Sequence, residues 1–139
     1  MRVIPPDLEL WLAGHIHAEA EAEGLVLRIV NSEPTPLSLP LDAPLVVIRE
    51  TDGSRIDWTT FERSVTVTVL AGGRDDPADA RNVARWLAGV LFDEELPFVE
   101  GTPVTAVDFG GCLGPVAATE PLDVSRRVLT AQYVVTGTW

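Results

Sequence analysis

Between Arg63 and Phe92 the hydrophobic period of the chain changes once, and that change predicts a strand, a turn and a helix. Val65, Val67 and Val69 alternate with Ser64, Thr66 and Thr68, a period of two that sends valines to one sheet face and hydroxyls to the other. Ala71-Gly72-Gly73-Arg74-Asp75 interrupts the strand with residues that tolerate positive φ. Asp76 stands where an N-cap belongs, Pro77 suits the first helical position, and Asp79 adds negative charge that the helix dipole favours. Ala80, Val83, Ala84, Leu87, Val90 and Leu91 then share one helical stripe, opposite Arg81, Asn82 and Arg85. This helix is expected to lie across the sheet that contains the valine strand.

The other segments arrange themselves around that pair. A first helix starts at Pro6 or Asp7, with Leu8, Leu12 and Ile16 stepping by four and Trp11 and His15 flanking them. Glu19, Glu21 and Glu23 alternate with alanines up to Gly24, a suitable stop. Carboxylates there oppose the dipole, so this end is expected to fray or to sit near a cation. Leu25 to Val30 reads as a strand. Asn31 to Pro44 holds Pro34, Pro36, Pro40 and Pro44 and reads as an extended loop, functional or mobile. Leu45-Val46-Val47-Ile48 fits a central strand covered on both faces. Asp52-Gly53 marks a turn, and Ile56 to Thr60 an edge segment before the valine strand. Asp93-Glu94-Glu95 and Pro97 end the second helix. Val104 to Phe109 reads as a strand, and Gly110 to Pro115 as a turn. In the last strand Leu129, Ala131, Tyr133 and Val135 face away from Val128, Thr130, Gln132 and Val134. The expected fold is a single α+β domain over residues 1–139: a mostly antiparallel, mixed sheet of about four to six strands with two helices.

Composition narrows the function classes. A chain of 139 residues buries about two-thirds of its unfolded surface on folding. No apolar run approaches the ~20 residues that span a bilayer, so no membrane partner is expected. Prolines and Asp7 interrupt any signal-peptide core, which points to synthesis and retention in a cytoplasm. Ten arginines, no lysine and 21 acidic residues give a formal charge of −11, which disfavours a phosphate-tracking surface. Cys112 is the only cysteine, so an internal disulfide is excluded and a thiolate metal cage disfavoured.

Candidate chemistry is sparse. His15 and His17 are two apart, so on a helix their rings point to different sides and share no metal. Gly72-Gly73 precedes a helix N-terminus as phosphate loops do, but Asp75, Asp76 and Asp79 repel an anion, leaving a plain turn. Gly110-Gly111 with Gly114-Pro115 reads as a hairpin or bulge. Cys112 has no adjacent base to activate it. Trp11, Trp58, Trp86 and Trp139 are expected to be half core and half exposed, the exposed ones being interface candidates. No catalytic, cofactor-binding or metal-binding residue is assigned, no cofactor is expected, and the chain is not read as an enzyme.

Taken whole, the chain resembles the tail terminator (tail completion, minor tail) proteins of long-tailed bacteriophages, particularly those of actinobacterial hosts. The resemblance lies in the order and spacing of several segments. These are Ile4-Pro5-Pro6-Asp7-Leu8-Glu9 entering a helix, the proline-rich loop into Ala43 to Arg49, and Asp52-Gly53. Val65 to Val69 with Gly72-Gly73, the helix Ala80 to Leu87 and the segment Arg126 to Val135 complete it, while the Glu19 to Glu23 run and the Gly137-Thr138-Trp139 ending depart from it. The resemblance implies a virion protein at the tail–neck junction, assembled in the host cytoplasm. It would form a homohexameric ring that caps the tail tube, stops its polymerisation and meets the head connector. Its partners would be its own copies, the major tail tube protein and a head-completion or connector protein, with DNA only as passing cargo.

Six copies at −11 sum to about −66, and an acidic channel lined by Glu19 to Glu23 or by Asp93-Glu94-Glu95 would let DNA slide without sticking. The loop from Asn31 to Pro44 is expected to order against a neighbouring subunit or the tube. Two alternatives stand beside this reading. A head-completion or connector neck protein would differ in its partner, and a small-ligand-binding α+β dimer or a cytoplasmic enzyme would show a concave pocket with convergent polar groups.

Overall fold

The computed structural model describes residues 2–139. Asp7 caps helix α1 (Leu8–Ala22): its carboxylate accepts the Leu10 amide at 3.1 Å, and Glu9 adds negative charge to the first turn. Leu8, Leu12, Ile16 and Ala20 form the buried stripe. Gly24, at φ 72°, ends the helix: its amide donates to the Glu21 carbonyl and the Leu25 amide to that of Ala20. That closure uses Leu25, so strand β1 begins only at Arg28 (Arg28–Val30) and Leu25 and Val26 stay exposed. The expected strand over 25–30 is therefore half its length.

Strand β2 (Leu45–Glu50) runs parallel to β1 and antiparallel to β3 (Thr60–Ala71). Helix α2 (Ala78–Leu91) follows, then β4 (Val104–Val107), β5 (Leu113–Ala118) and β6 (Ser125–Thr136). β6 pairs antiparallel with β3 from Thr60↔Thr136 to Ala71↔Ser125, and its other side is shared by β4 and β5. The result is α+β: a six-stranded mixed sheet, parallel only at β1–β2, with two helices. Among the described residues no helix is long and apolar enough to cross a membrane.

The alternations expected in β3 and β6 hold. Val65, Val67, Val69, Leu129, Ala131, Tyr133 and Val135 are buried, and their alternating neighbours from Ser64 to Thr68 and from Val128 to Val134 are partly exposed. Both helices pack on the valine face: Leu8, Leu12 and Ile16 of α1 and Ala84, Leu87 and Leu91 of α2 join one core with it. The Tyr133 hydroxyl, deep in that core, donates to the Leu91 carbonyl at 2.6 Å and satisfies an acceptor that the end of α2 leaves free.

Several expected boundaries move. Pro77, not Asp76, occupies the cap position of α2, without any side-chain cap; the Asp76 amide donates to Gly73 instead. A residue before proline is pushed away from helical angles, which leaves Asp76 in the turn. Asp52-Gly53 is not the reversal. Residues 51–54 run on beside β3, with Thr51 donating to Ser64, Ser64 to Asp52 and Glu62 to Ser54, and the chain turns at 57–59. Ile56 to Thr59 is that bend rather than an edge strand. The strand expected over 104–109 stops at Val107, and Phe109–Gly111 forms a 3-10 turn. The turn expected over 110–115 gives way at Leu113 to β5, with an irregular register between Leu113 and Val116 that accommodates Gly114-Pro115. Glu23 meets an indole rather than a cation: its carboxylate accepts from Trp86 Nε1 at 2.8 Å.

β2 is covered on both faces, as its unbroken apolar run predicts. Val46 and Ile48 enter the helix-side core, while Leu45 and Val47 join Leu70 and Val124 in a second cluster. Leu37, Leu39 and Leu41 of the proline-rich loop cover that cluster and are partly buried against it. Arg126 fastens the loop. Its guanidinium lies 2.9 Å from Glu33 and 2.7 Å from Glu120, whose side chain is only 7% exposed. Arg126→Ala is expected to cost about 2 kcal/mol, below the ~3–5 kcal/mol of a fully buried pair because Glu33 reaches water. It should also speed amide exchange over residues 31–44; urea melts and hydrogen exchange check both.

Candidate interaction surfaces

One surface forms where β3 begins and β6 ends. Asp57 builds the turn by accepting the amides of Thr59 and Thr60, both at 2.9 Å. These hydrogen bonds, Thr59's first, hold the Asp57 carboxyl below its usual range. Arg55 locks the turn from the other side, donating to the Asp57 carbonyl at 2.9 Å and the Trp58 carbonyl at 2.7 Å while lying over the Phe61 ring at 5.6 Å. Arg63 covers the same ring at 5.1 Å and pairs with Glu50 at 3.1 Å. Trp58 is thereby held outward, 74% exposed. The Gly137 amide donates to Thr59 and Ile4 bridges Thr138, which brings Trp139, 75% exposed, and Ile4 to the same end. Ile56 completes an apolar pole with two tryptophans.

A second surface is the outer edge and open face of the sheet at β5. Leu113 and Val116 are exposed and lie in register with Thr130 and Val128, so they extend the partly exposed face of Thr66, Thr68, Thr130 and Val134. Phe109 stands exposed at the turn leading into β5. The opposite edge is the three-residue β1, so the two ends of the sheet differ in length and chemistry. A third surface is acidic: Glu19, Glu21, Glu23, Asp93, Glu94 and Glu95 are all exposed on the helix side.

The remaining residues singled out in the sequence fall elsewhere. His15 stacks on Trp11 at 5.1 Å, and His17 points to Glu21 at 3.9 Å; the two do not converge. Among the described residues no cluster of three potential metal ligands occurs. The Gly72-Gly73 turn already has its acid: the Arg74 amide donates to the Asp123 carboxylate at 2.8 Å. Cys112 lies half-buried beside β6, and burial pushes its thiol up, away from the thiolate that a nucleophile needs. Trp11 and Trp86 pack against the core, so the tryptophans divide as expected, two packed and two exposed.

The cleft between α1 and β1–β2, about 370 Å³, is lined by Asp7, Glu9, Ile29 and Ile48. Its carboxylates are committed, Asp7 to the α1 cap and Glu9 to the Glu50 amide at 2.8 Å. The neighbourhood is anionic enough to matter. Glu50, close by, is raised above its usual pKa, first by burial and against the pull of Arg63, with Glu9 and Asp7 adding to the rise.

No protein-family model matches the chain, and no curated protein matches it.

Proposed function

We propose that the chain is a structural protein of the neck of a long-tailed bacteriophage, capping the tail tube as a homohexameric ring. It stops tube growth there and offers a seat to the head connector. The observation that carries this reading is the pair of unlike exposed apolar surfaces, the pole of Trp58, Trp139, Ile4 and Ile56 and the edge of Phe109, Leu113 and Val116. A closed ring joins two different patches of neighbouring copies head to tail, and such patches on a monomer mark association sites. Exposed tryptophans are the side chains that most often anchor such contacts. The order and spacing of segments that resemble tail terminators support the same reading. The acidic runs at Glu19 to Glu23 and Asp93 to Glu95 suit a channel through which DNA passes without adhering.

The test is assembly on the tube. Electron microscopy of the protein with major tail tube protein should find it at tube ends, and by light scattering a free ring would weigh about 90 kDa, six times the 15.0 kDa chain. Trp58→Asp with Trp139→Asp should leave the melting temperature unchanged, since both rings are exposed, and weaken capping by ~100-fold or more. A protein that caps tubes equally well with both aspartates, or that never associates with tubes or with itself, would overturn the proposal. Binding to the connector alone would move the ring to the head side of the neck and overturn the capping role.

A further inference from the structure

The sequence scatters ten arginines, but the fold brings Arg74, Arg126 and Arg127 around one small cleft of about 200 Å³ at the β5–β6 edge. Pro77, Ala117, Ser125 and one carboxylate, that of Glu120, form part of its wall. The three guanidinium groups differ in how they are used. Arg126 is paired with two carboxylates, those of Glu33 and Glu120, and has no charge to spare for a ligand. Arg74 donates to the Pro121 carbonyl and forms no ion pair among the described residues. Arg127 forms none either, and its Nε is buried without any hydrogen-bond partner. A buried guanidinium N–H that has lost water and gained no acceptor is costly, and few native structures leave one so.

Within a chain of net charge −11, this cleft therefore gathers three arginines against the carboxylates of Glu120, in its own wall, and Glu33, leaving Arg74 and Arg127 outside any ion pair among the described residues and the Arg127 Nε without an acceptor. The cleft between α1 and β1–β2 has the opposite character, with Asp7 and Glu9 in its wall. A planar guanidinium fork presents paired donors that match the oxygens of a carboxylate or phosphate group. The volume suits one such group and excludes a nucleotide-sized ligand. We propose that the cleft is an oxyanion site, taking one carboxylate or phosphate group against Arg127 and Arg74. The site does not depend on the ring: it stands or falls on these arginines even if the protein caps nothing.

Two sources can supply the group, a free anion or an acidic side chain of a second copy, and one experiment with two arms separates them. In the first arm the protein is melted in chloride buffer of constant ionic strength while inorganic phosphate, then acetate, is titrated in. A saturable rise in melting temperature is expected. It should be lost in Arg127→Gln, weakened at least tenfold in apparent affinity in Arg74→Gln, and kept in Arg81→Gln on the exposed face of α2. Arg127→Met, which fills the slot without a donor, serves if the glutamine variant does not fold. No rise beyond that of chloride, or the same rise in the Arg127 variants, would overturn the site. In the second arm light scattering is repeated with saturating phosphate. If a second copy supplies the carboxylate, phosphate dissociates the assembly and Arg127→Gln stays monomeric. If the ligand is a free anion, the oligomeric state is the same with and without phosphate. Either pattern, joined to the first-arm result, supports the site and identifies its source.

Discussion

Tyr133→Ala is expected to destabilise the fold by about 5 kcal/mol, the largest single loss among its side chains. Two terms combine. Truncating a fully buried aromatic leaves a cavity in the middle of the helix-side core, worth about 3–5 kcal/mol. The Leu91 carbonyl also loses the Tyr133 donor, at about 1–3 kcal/mol for a buried acceptor left unpaired. Against a total stability of ~5–15 kcal/mol, the variant would be partly unfolded at ordinary temperature. Tyr133→Phe separates the terms, because it keeps the ring and removes only the hydroxyl. It should lose about 1–3 kcal/mol, read as a lower urea midpoint with an unchanged slope.

The same side chain sets an alkaline limit. Burial pushes the Tyr133 pKa well above the usual tyrosine value of about 10, with the Cys112 thiol beside it adding to the rise. The folded state therefore holds its proton after the unfolded chain has released it. This contribution is intact below about pH 10 and falls away above it, by about 1.4 kcal/mol per pH unit until the folded pKa is reached. Tyr133→Phe should flatten that part of the alkaline unfolding curve. An identical alkaline slope in the variant would show that the phenol is not its source.

Gly53→Ala is expected to cost about 3 kcal/mol and to loosen the Trp58 pole. A Cβ at Gly53 would lie 1.8 Å from the Glu62 carbonyl oxygen and 2.6 Å from its carbon, and backbone cannot swing aside as a long side chain does. Accommodating it means parting residues 51–54 from β3, at the expense of hydrogen bonds such as Thr51 to Ser64 and Glu62 to Ser54, each worth about 1 kcal/mol net. Arg55 follows directly, so its grip on the Trp58 carbonyl would loosen as well. Thermal melts and the exchange rates of the Thr59 and Thr60 amides check this. Wild-type values for both would refute it.

Gly53 also shows where the sequence misleads. Asp-Gly is a turn signal because glycine accepts positive φ, yet Gly53 does not use that freedom; it is needed because two backbones approach closely. Close approach is a property of the partner strand, and local sequence says nothing about it. β5 was hidden for a related reason. Gly114-Pro115 disguises a strand whose place is fixed by the edge of β6, where an irregular register tolerates both residues. Where one face is buried and the other wet, the pattern was legible: β3, β6 and the stripes of α1 and α2 follow from period alone. Trp58 and Trp139 could be nominated as interface residues, but their meeting at one pole depends on the Gly137 to Thr59 bond, which is long-range. The arginine cleft left no local trace at all, since Arg74 comes 52 positions before Arg126 and only the β3–β6 pairing brings them together.

That pairing has a bearing on how the molecule is made. β6 is translated after every other strand of the sheet, and β3, β4 and β5 all hydrogen-bond to it. A nascent chain therefore carries their unsatisfied edges until synthesis passes Thr136, an interval in which chaperones or self-aggregation compete for the exposed valines of β3. Slow decoding anywhere between 72 and 124 would lengthen that interval without altering a single contact of the finished protein.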